Sequence, residues 1–193
     1  MQIMVHPSAK GLIFDLDGTL SDSHPVHLAN WQLLGLKLGF VFDKKIIYEM
    51  TGRPTIDFAK RIISENNLSI SPVELVKMKH EAFWNTIHFL SPILPVVDIV
   101  KRYHKVLPMS VGTGASRQSA GLQLAELGLR DYFDFVITAD DVTHHKPEAE
   151  TFLRCAELMR VVPSECQVFE DGMLGMEAAR AAGMILTDVR PFL

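Results

Sequence analysis

Apolar positions along this chain follow two patterns, one typical of strands and one typical of helices. Residues 11–15, GLIFD, begin with a short apolar run of the kind that forms a buried strand. Between His24 and Leu90 the apolar positions recur at helical spacing instead. After the proline-rich segment 89–95, apolar runs again alternate with helical stretches. This order predicts a sheet whose first strand is separated from the others by an inserted block of helices.

Four helices are predicted in the inserted block. The first carries a stripe of residues expected to be buried, formed by Val26, Ala29, Leu33, Leu36 and Phe40. A short second helix is predicted around 46–50 and a third over 55–63. The fourth has Ser71 as its N-cap, Pro72 at its first position and Glu74 completing a capping box, and is expected to run to about Ile87.

The second half of the chain alternates predicted strands with predicted helices. The strands lie at 106–111, 133–138, 167–169 and 184–187, and the helices at 96–104, 116–127, 148–159 and 174–182. Such alternation predicts an α/β fold with a doubly wound parallel sheet. We assign 1–22 and 94–193 to a Rossmann-like core, and 23–93 to an α-helical cap domain above the carboxyl ends of the strands.

Polar residues follow four of the predicted strands. These residues are Asp15 and Asp17 after the first strand, Thr113 after the second, Lys146 in the loop after the third, and Glu170 and Asp171 after the fourth. Because the carboxyl ends of parallel strands share one edge of a sheet, we expect these side chains to meet there. Gly18 lets the chain turn away at once, so Asp15 and Asp17 are expected on one exposed strand tip.

The chemistry of these side chains is complementary. Several carboxylates at one place need a hard cation such as Mg²⁺ between them, and a hydroxyl with a lysine supplies donors for an anion. A cation site beside anion donors suits phosphoryl transfer. Asp15 is the natural nucleophile, since an aspartate is ionised at pH 7 without a base. Asp17 can protonate the leaving oxygen and later accept a proton from water.

Composition narrows the range of partners. The 193 residues carry a formal net charge of −4, which offers no basic patch for nucleic acid. No apolar run reaches the ~18 residues of a membrane span, and the start, MQIMVHPSAK, is not expected to be a signal peptide. Cys155 and Cys166 have no metal or redox spacing, which favours a reduced cytoplasmic setting. A monomer acting on a small molecule is expected.

Four segments together resemble the motifs of the haloacid dehalogenase-like superfamily in its phosphatase form. They are FDLDGTL at 14–20, VGTG at 111–114, HHKPEAETF at 144–152 and VFEDG at 168–172. The resemblance covers the whole chain, and the helical block is similar to the small cap of the β-phosphoglucomutase subfamily. Within that subfamily the sequence looks most like the small bacterial phosphatases acting on fructose 1-phosphate. The resemblance implies that the protein is a Mg²⁺-dependent phosphatase of small sugar phosphates that forms an aspartyl-phosphate on Asp15.

The resemblance also implies a role for each strand-end residue. Mg²⁺ would be bound by Asp15, the main-chain carbonyl of Asp17 and Asp171, with Glu170 in or next to the ligand set. The phosphate group would be bound by Thr113, Gly114 and Lys146.

Candidate residues outside the strand ends have competing interpretations. His27 matches a cap-hinge histidine that helps acid–base chemistry, but a histidine near a helix start can also have no role. Lys79 matches a cap lysine that reaches the substrate, the alternative being a solvated helix face. His144 and His145 are expected to orient the Lys146 loop rather than bind a metal. The role of Arg53 stays open, and Asp141 either hydrogen-bonds Lys146 or caps its loop.

Departures from the family pattern bear on the activity. Ala149 replaces the second proline of the third motif, and Gly172 stands where a serine is common. Thr55 stands where the mutases carry an arginine for a second phosphate, which favours a phosphatase over a phosphoglucomutase. A dehalogenase would not need Asp17 or the metal carboxylates, and a non-enzymatic sugar-phosphate-binding or scaffold protein would need none of the catalytic groups.

Overall fold

A five-stranded parallel sheet forms the centre of the computed structural model, which describes residues 3–193. The strands are β1 (Gly11–Phe14), β2 (Met109–Gly112), β3 (Phe135–Ile137), β4 (Cys166–Glu170) and β5 (Ile185–Asp188), in the order β3-β2-β1-β4-β5. The predicted α/β fold with a parallel sheet is confirmed. The segment for which no signal peptide is predicted includes Met1 and Gln2, and these two residues lie outside the described part of the chain.

Eight helices of regular α form connect or cover the strands within residues 3–193. They are α1 (His24–Leu38), α2 (Lys45–Met50), α3 (Thr55–Asn66), α4 (Pro72–Asn85), α5 (Leu94–Tyr103), α6 (Arg117–Glu126), α7 (Glu150–Met159) and α8 (Met173–Ala181). Strand β2 starts three positions later than the predicted 106. The amides of Val106 and Leu107 instead bond to the Tyr103 carbonyl and close the end of α5, and Pro108 has no amide to give a sheet.

Strand β1 lies at the centre of the sheet, between β2 and β4. Leu12 is opposite Met109 on one side and Gln167 on the other. Leu12 and Phe14 point into one hydrophobic cluster, and Ile13 points into a second cluster on the opposite face. Because successive side chains of a strand alternate between faces, β1 is apolar at every position and open only at its carboxyl end.

The inserted helices have a hydrophobic cluster of their own. Its buried residues all lie between Trp31 and Leu75, and Trp31 stacks on Phe42 and Phe58 with ring centroids 5.6 and 6.4 Å apart. The chain enters and leaves this block through two adjacent segments. The Asp22 amide donates to Ser91 at 2.9 Å, and the Ile93 amide donates to Leu20 at 3.0 Å. The domain boundaries at 22/23 and 93/94 remain a prediction.

The buried stripe predicted for α1 is wrong for Ala29, Leu33 and Leu36, whereas Phe40, just beyond the helix, is buried as expected. Leu33 and Leu36 are 57% and 85% exposed. Helix α1 is apolar on more than one face, so the spacing of its apolar residues did not define the buried side. Packing of the large Trp31 ring against other aromatic rings orients the helix instead. The buried positions are Asn30, Trp31, Leu34 and Gly35.

Among residues 3–193, no helix combines the length and the hydropathy required for a membrane crossing.

Candidate active site

A cavity lies between the carboxyl edge of the sheet and the helical block. Its sheet side is lined by Asp15, Asp17, Thr113 and Gly114, and its helical side by residues that include His27, Trp31, Thr55, Lys79, His80 and Phe83. Lys146, Glu170 and Asp171 lie around Asp15, so the structure brings the predicted strand-end residues together. One wall of the cavity is therefore polar and charged, and the other is largely aromatic.

Lys146 forms a buried ion cluster with two carboxylates. Its Nζ lies 2.7 Å from Asp15 Oδ1 and 2.8 Å from Glu170 Oε2, and all three side chains are at most 3% exposed. Burial alone would lower the pKa of Lys146, but the two carboxylates outweigh burial and hold that pKa above its ordinary value. Lys146 is therefore a fixed ammonium. Two of its three hydrogens are used, and the third can donate to a further anion.

Asp15 is buried at the end of β1, so the predicted exposed strand tip is wrong for this residue. It lines the cavity below the helical block with Lys146 bonded to it, and its side chain is 3% exposed. Its Oδ2 atom is buried and has no hydrogen-bond partner among residues 3–193. Burial, followed by repulsion from Glu170, raises the pKa of Asp15 to about 7 despite the nearby ammonium.

Asp171 lies beside Asp15 at the end of β4. Its Oδ1 accepts a hydrogen bond from Thr19 at 2.9 Å, and its Oδ2 lies 3.9 Å from Nε2 of His24. Burial and repulsion from Asp15 raise the pKa of Asp171 to about 7. Gly18 turns the chain here with a φ of +89°, and a Cβ at that position would overlap the Asp171 carboxylate. The turn thus needs glycine for both conformation and space.

The acidic residues have the chemistry of a divalent cation site. Ligand atoms of Asp15, Glu170 and Asp171 lie within 4.8 Å of one another. Glu170 Oε1 already accepts the amides of Asp171 and Gly172, at 3.1 and 2.9 Å, and its Oε2 accepts from Lys146. The unpaired Asp15 Oδ2 and the Asp171 carboxylate, both with raised pKa values, are the oxygens that a hard cation would stabilise.

Asp17 is held through a single oxygen. Its Oδ1 accepts hydrogen bonds from Ser23 Oγ at 2.6 Å, His27 Nε2 at 3.0 Å and Gln123 Nε2 at 3.1 Å. Burial opposes the charged form, but these donors outweigh it and hold the pKa of Asp17 far below its ordinary range. Asp17 is therefore a carboxylate at neutral pH.

His27 and Lys79 form a polar chain that ends on Asp17. Lys79 Nζ lies 3.0 Å from His27 Nδ1. The Asp17 carboxylate can only accept, so Nε2 of His27 carries the hydrogen that points at Asp17, and Nδ1 accepts from Lys79. Lys79 is 3% exposed and lies 4.9 Å from the centre of the Phe83 ring, so the solvated-face interpretation is wrong. Burial lowers the pKa of Lys79 to about 7 and, with the Lys79 charge, that of His27 to about 4.

Thr113 and Gly114 form the β2 side of the cavity. The Thr113 hydroxyl oxygen accepts the Ala115 amide at 3.0 Å, which leaves its own hydrogen free to donate. A Cβ on Gly114 would overlap the Gly52 carbonyl oxygen of the helical block. Gly52 itself has a φ of +98° and packs on the Lys146 side chain. The helical block and the sheet thus meet at two glycines.

The remaining candidates make no side-chain bond to Lys146, Asp15 or Glu170 among the described residues. Arg53 pairs with Asp57 at 3.6 Å and lines the cavity. Asp141 accepts the Thr138 amide and hydroxyl, so it caps its loop, and the described residues show no bond from it to Lys146. The exposed His144 ring contacts Glu150 at 2.8 Å. Neither His144 nor His145 belongs to a metal-type cluster found within residues 3–193.

Four contacting residues were not found from the sequence. Thr19 and His24 contact Asp171, while Ser23 and Gln123 contact Asp17. Thr19, Ser23 and His24 lie within nine residues of Asp15, so their proximity was a usable signal. Gln123 lies 106 positions from Asp17, in the middle of α6, and no local pattern marked it.

Comparison with known proteins places this geometry in a family context. The family profile for haloacid dehalogenase-like hydrolases matches residues 12–189. A fructose-1-phosphate phosphatase of Escherichia coli is 45% identical over 93% of this chain and 96% of its own length. The β-phosphoglucomutase of Bacillus subtilis is 25% identical over 93% and 83%. The crystal structure of a β-phosphoglucomutase from Clostridium difficile, 26% identical, superposes with a TM-score of 0.83 over 93% and 84%.

Proposed function

Because the chain belongs to the haloacid dehalogenase-like hydrolases, we propose that it hydrolyses fructose 1-phosphate or a closely related small sugar phosphate in a Mg²⁺-dependent reaction. The chain is a phosphatase of this family that acts on sugar phosphates. The choice of fructose 1-phosphate is supported by the named activity of the Escherichia coli relative. The observation that carries the proposal is Asp15, buried between the Lys146 ammonium and the Asp171 carboxylate at the base of the cavity.

Asp15 acts as the nucleophile. Its carboxylate attacks phosphorus, the bond between phosphorus and the sugar oxygen breaks, and the phosphoryl group is transferred to Asp15. When the phosphate ester binds, Asp17 takes up a proton from the solvent and gives it to the departing sugar oxygen, and it then takes one from the water that hydrolyses the aspartyl-phosphate. The arriving phosphate dianion opposes a second negative charge beside it and so favours the protonated form of Asp17.

Other residues hold the phosphate. Lys146 donates its third hydrogen and Thr113 its free hydroxyl hydrogen to phosphate oxygens, at the start of the loop that contains Gly114. Asp15 Oδ2, the Asp171 carboxylate and the main-chain carbonyl of Asp17 would hold Mg²⁺. When bound, the ion would stabilise negative charge on the transferring group. Glu170 holds Lys146 in place, since both of its oxygens are occupied by protein donors.

Residues 23–93 act as a cap over residues 1–22 and 94–193. Closure brings Gly52 against Gly114 and encloses the sugar between the charged sheet edge and the aromatic helices. A closed site excludes bulk water from the reacting groups. The two cysteines, both buried and free, suit a reducing compartment. The enzyme works in the cytoplasm as a monomer and binds neither nucleic acid nor a membrane.

A phosphoglucomutase is the nearest alternative activity, and the cavity does not favour it. Thr55, at the position of the mutase arginine, contacts His80 at 3.3 Å, and Arg53 is paired with Asp57. The cavity therefore offers a second phosphate only Arg53, which is already paired with Asp57. A dehalogenase would not need the buried acidic cluster, and a non-enzymatic binding protein would not need Asp15 and Asp17 in these positions.

The test is a phosphate-release assay on purified protein with fructose 1-phosphate, glucose 1-phosphate and glucose 6-phosphate. We expect free phosphate from fructose 1-phosphate with Mg²⁺ and loss of activity with a chelator. Interconversion of glucose 1-phosphate and glucose 6-phosphate without net phosphate release would support a mutase instead. Failure to release phosphate from any sugar phosphate would contradict the proposal.

A further inference from the structure

The Asp17 carboxylate is engaged on one side only. All three hydrogen bonds that residues 3–193 donate to its side chain fall on Oδ1. The side chain is 20% exposed and lines the cavity, so the remaining oxygen, Oδ2, is the one left for the cavity. A carboxylate can rotate about its Cβ–Cγ bond, and the donors on Oδ1 are what prevents an exchange of the two oxygens.

The three donors come from different parts of the molecule. Ser23 is the N-cap residue of α1 and His27 lies within α1, so both belong to the helical block. Gln123 belongs to α6, whose neighbouring residues Ala120 and Leu124 pack in the hydrophobic cluster of the sheet. If the helical block moves, Gln123 is therefore the donor that stays with the sheet and with Asp17.

Gln123 is an unfavourable residue for packing alone. Its side chain is fully buried, and within the described part of the chain its Oε1 has no hydrogen-bond partner. A buried amide with one unsatisfied atom destabilises a fold compared with an apolar side chain of similar shape. The amide makes one hydrogen bond in the described residues, the one from Nε2 to Asp17 Oδ1. Its position is thus explained by Asp17 and not by the core.

We propose that Gln123 is a positioning residue that fixes Asp17 with Oδ1 toward the protein and Oδ2 toward the cavity, so that proton transfer to the departing sugar oxygen runs through Oδ2. This inference rests on the proposed phosphatase function. Gln123 does not touch the substrate, and it acts only through the orientation of Asp17. Its contribution is therefore largest where the leaving group needs a proton.

Two substrates separate this role from a general structural one. The alkoxide of a sugar is a strong base and leaves only when protonated, whereas p-nitrophenolate leaves without a proton. The constant kcat/KM covers the steps up to release of the leaving group and so reports this difference. Damage to folding or to phosphate binding lowers kcat/KM for both substrates equally, whereas misorientation of Asp17 lowers it for the sugar phosphate alone.

The experiment compares Gln123→Met and Gln123→Leu with wild type on fructose 1-phosphate and p-nitrophenyl phosphate. We expect kcat/KM for the sugar phosphate to fall by about tenfold, the loss typical for one hydrogen bond to a charged group, and for the aryl phosphate to fall less than about twofold. Gln167→Met is the matched control, since Gln167 is also buried but donates to Thr187 and the Met4 carbonyl, away from the cavity. Gln167→Met should leave the ratio of kcat/KM for fructose 1-phosphate to kcat/KM for p-nitrophenyl phosphate unchanged.

Each outcome distinguishes the proposals. Equal losses on both substrates, or no loss in either folded variant, would overturn the role of Gln123 while leaving the phosphatase proposal intact. A wild-type protein inactive on every sugar phosphate would contradict the phosphatase proposal itself. Thermal unfolding curves identify which of the two variants is folded, and the comparison uses that one.

Discussion

Two buried lysines contact side chains that line the cavity, Lys146 through Asp15 and Lys79 through His27, and their surroundings have opposite effects. Lys146, in the loop between β3 and α7, lies between two carboxylates that keep its pKa above the ordinary value. Lys79, in the helical block, lies over the Trp31 and Phe83 rings beside a neutral histidine, and burial lowers its pKa to about 7. The sheet side thus holds a permanent charge, while the helical side holds a charge that is easily lost.

This difference separates the reaction from the choice of substrate. Phosphoryl transfer needs fixed charges at fixed positions, which the paired residues at the strand ends supply. Recognition of a sugar needs apolar ring surfaces and a few adjustable polar groups, which the helical side supplies. Changes on the sheet side should therefore abolish turnover, and changes on the helical side should alter stability or substrate preference.

The largest effect is expected from Asp15→Asn. The variant keeps the shape of the site and removes one of several repelling carboxylates, so it should fold. Without the nucleophile, phosphate release should fall by about 10³-fold or more. Asp98→Asn, at an exposed position of α5, is the matched control for the phosphate-release assay. Substantial turnover by the Asp15 variant would remove this residue from the role of nucleophile.

Lys146→Met should be the most destabilising change at the site. It leaves Asp15 and Glu170 buried together without their counter-ion, and breaking a buried pair in this way costs about 3–5 kcal/mol. Urea denaturation at pH 7 measures the free energy of unfolding. A variant as stable as wild type would mean that the two carboxylates do not depend on the ammonium.

Lys79→Met should have the opposite effect on stability. The pKa of Lys79 falls from 10.5 to about 7 on folding. Between these values the unfolded chain binds a proton that the folded protein has released, so the Lys79 contribution to the free energy of unfolding increases with pH. One pKa unit corresponds to about 1.4 kcal/mol, so the free energy of unfolding of the variant at pH 7 should exceed that of wild type by roughly 2–4 kcal/mol. The variant should also be less active than wild type.

Urea denaturation at pH 7 and pH 9 tests the sign of that effect. The stability gap between Lys79→Met and wild type should narrow at pH 9, because the folded lysine is then neutral and the pH is closer to the value of 10.5 at which the unfolded lysine also loses its proton. Lys77→Met, at an exposed position of the same helix, should show no such gap. A gap that stays constant or widens would contradict the burial of a titrating lysine.

His80→Ala should have the smallest effect, and it should weaken only the binding of the sugar phosphate. His80 lines the cavity, contacts the Thr55 hydroxyl at 3.3 Å and stacks on Trp84. Its removal should raise KM for the sugar phosphate by about three- to tenfold, the loss of about one hydrogen bond. Inhibition by inorganic phosphate should not change, because the proposed phosphate donors Thr113 and Lys146 lie in the loops at the carboxyl edge of the sheet and not in the helical block. Exposed His88→Ala is the control, and a large fall in kcat would place His80 in the chemistry.

The two sides also differ in how far the sequence predicts them. Asp15, Thr113 and Asp171 each follow an apolar strand directly, so local pattern and parallel topology were enough to bring them together. Lys79 and His27 are 52 positions apart, and only the family resemblance suggested that both matter. The burial of Lys79 and the true inner face of α1 depend on how aromatic rings from several helices pack, which helical periodicity does not specify. Gln123 lies in an ordinary helical stretch and became visible only through its contact with Asp17.

The paired hydrogen bonds where the chain leaves and re-enters the sheet have a consequence for engineering. Leu20 and Asp22 of the core are bonded to Ile93 and Ser91 of the insertion, so the two ends of the helical insertion lie side by side at the point where they join the sheet domain. Such a junction is a natural splice point for transplanting the insertion of one relative onto the sheet of another. A chimera joined there would inherit its catalytic step from the recipient and its choice of sugar from the donor.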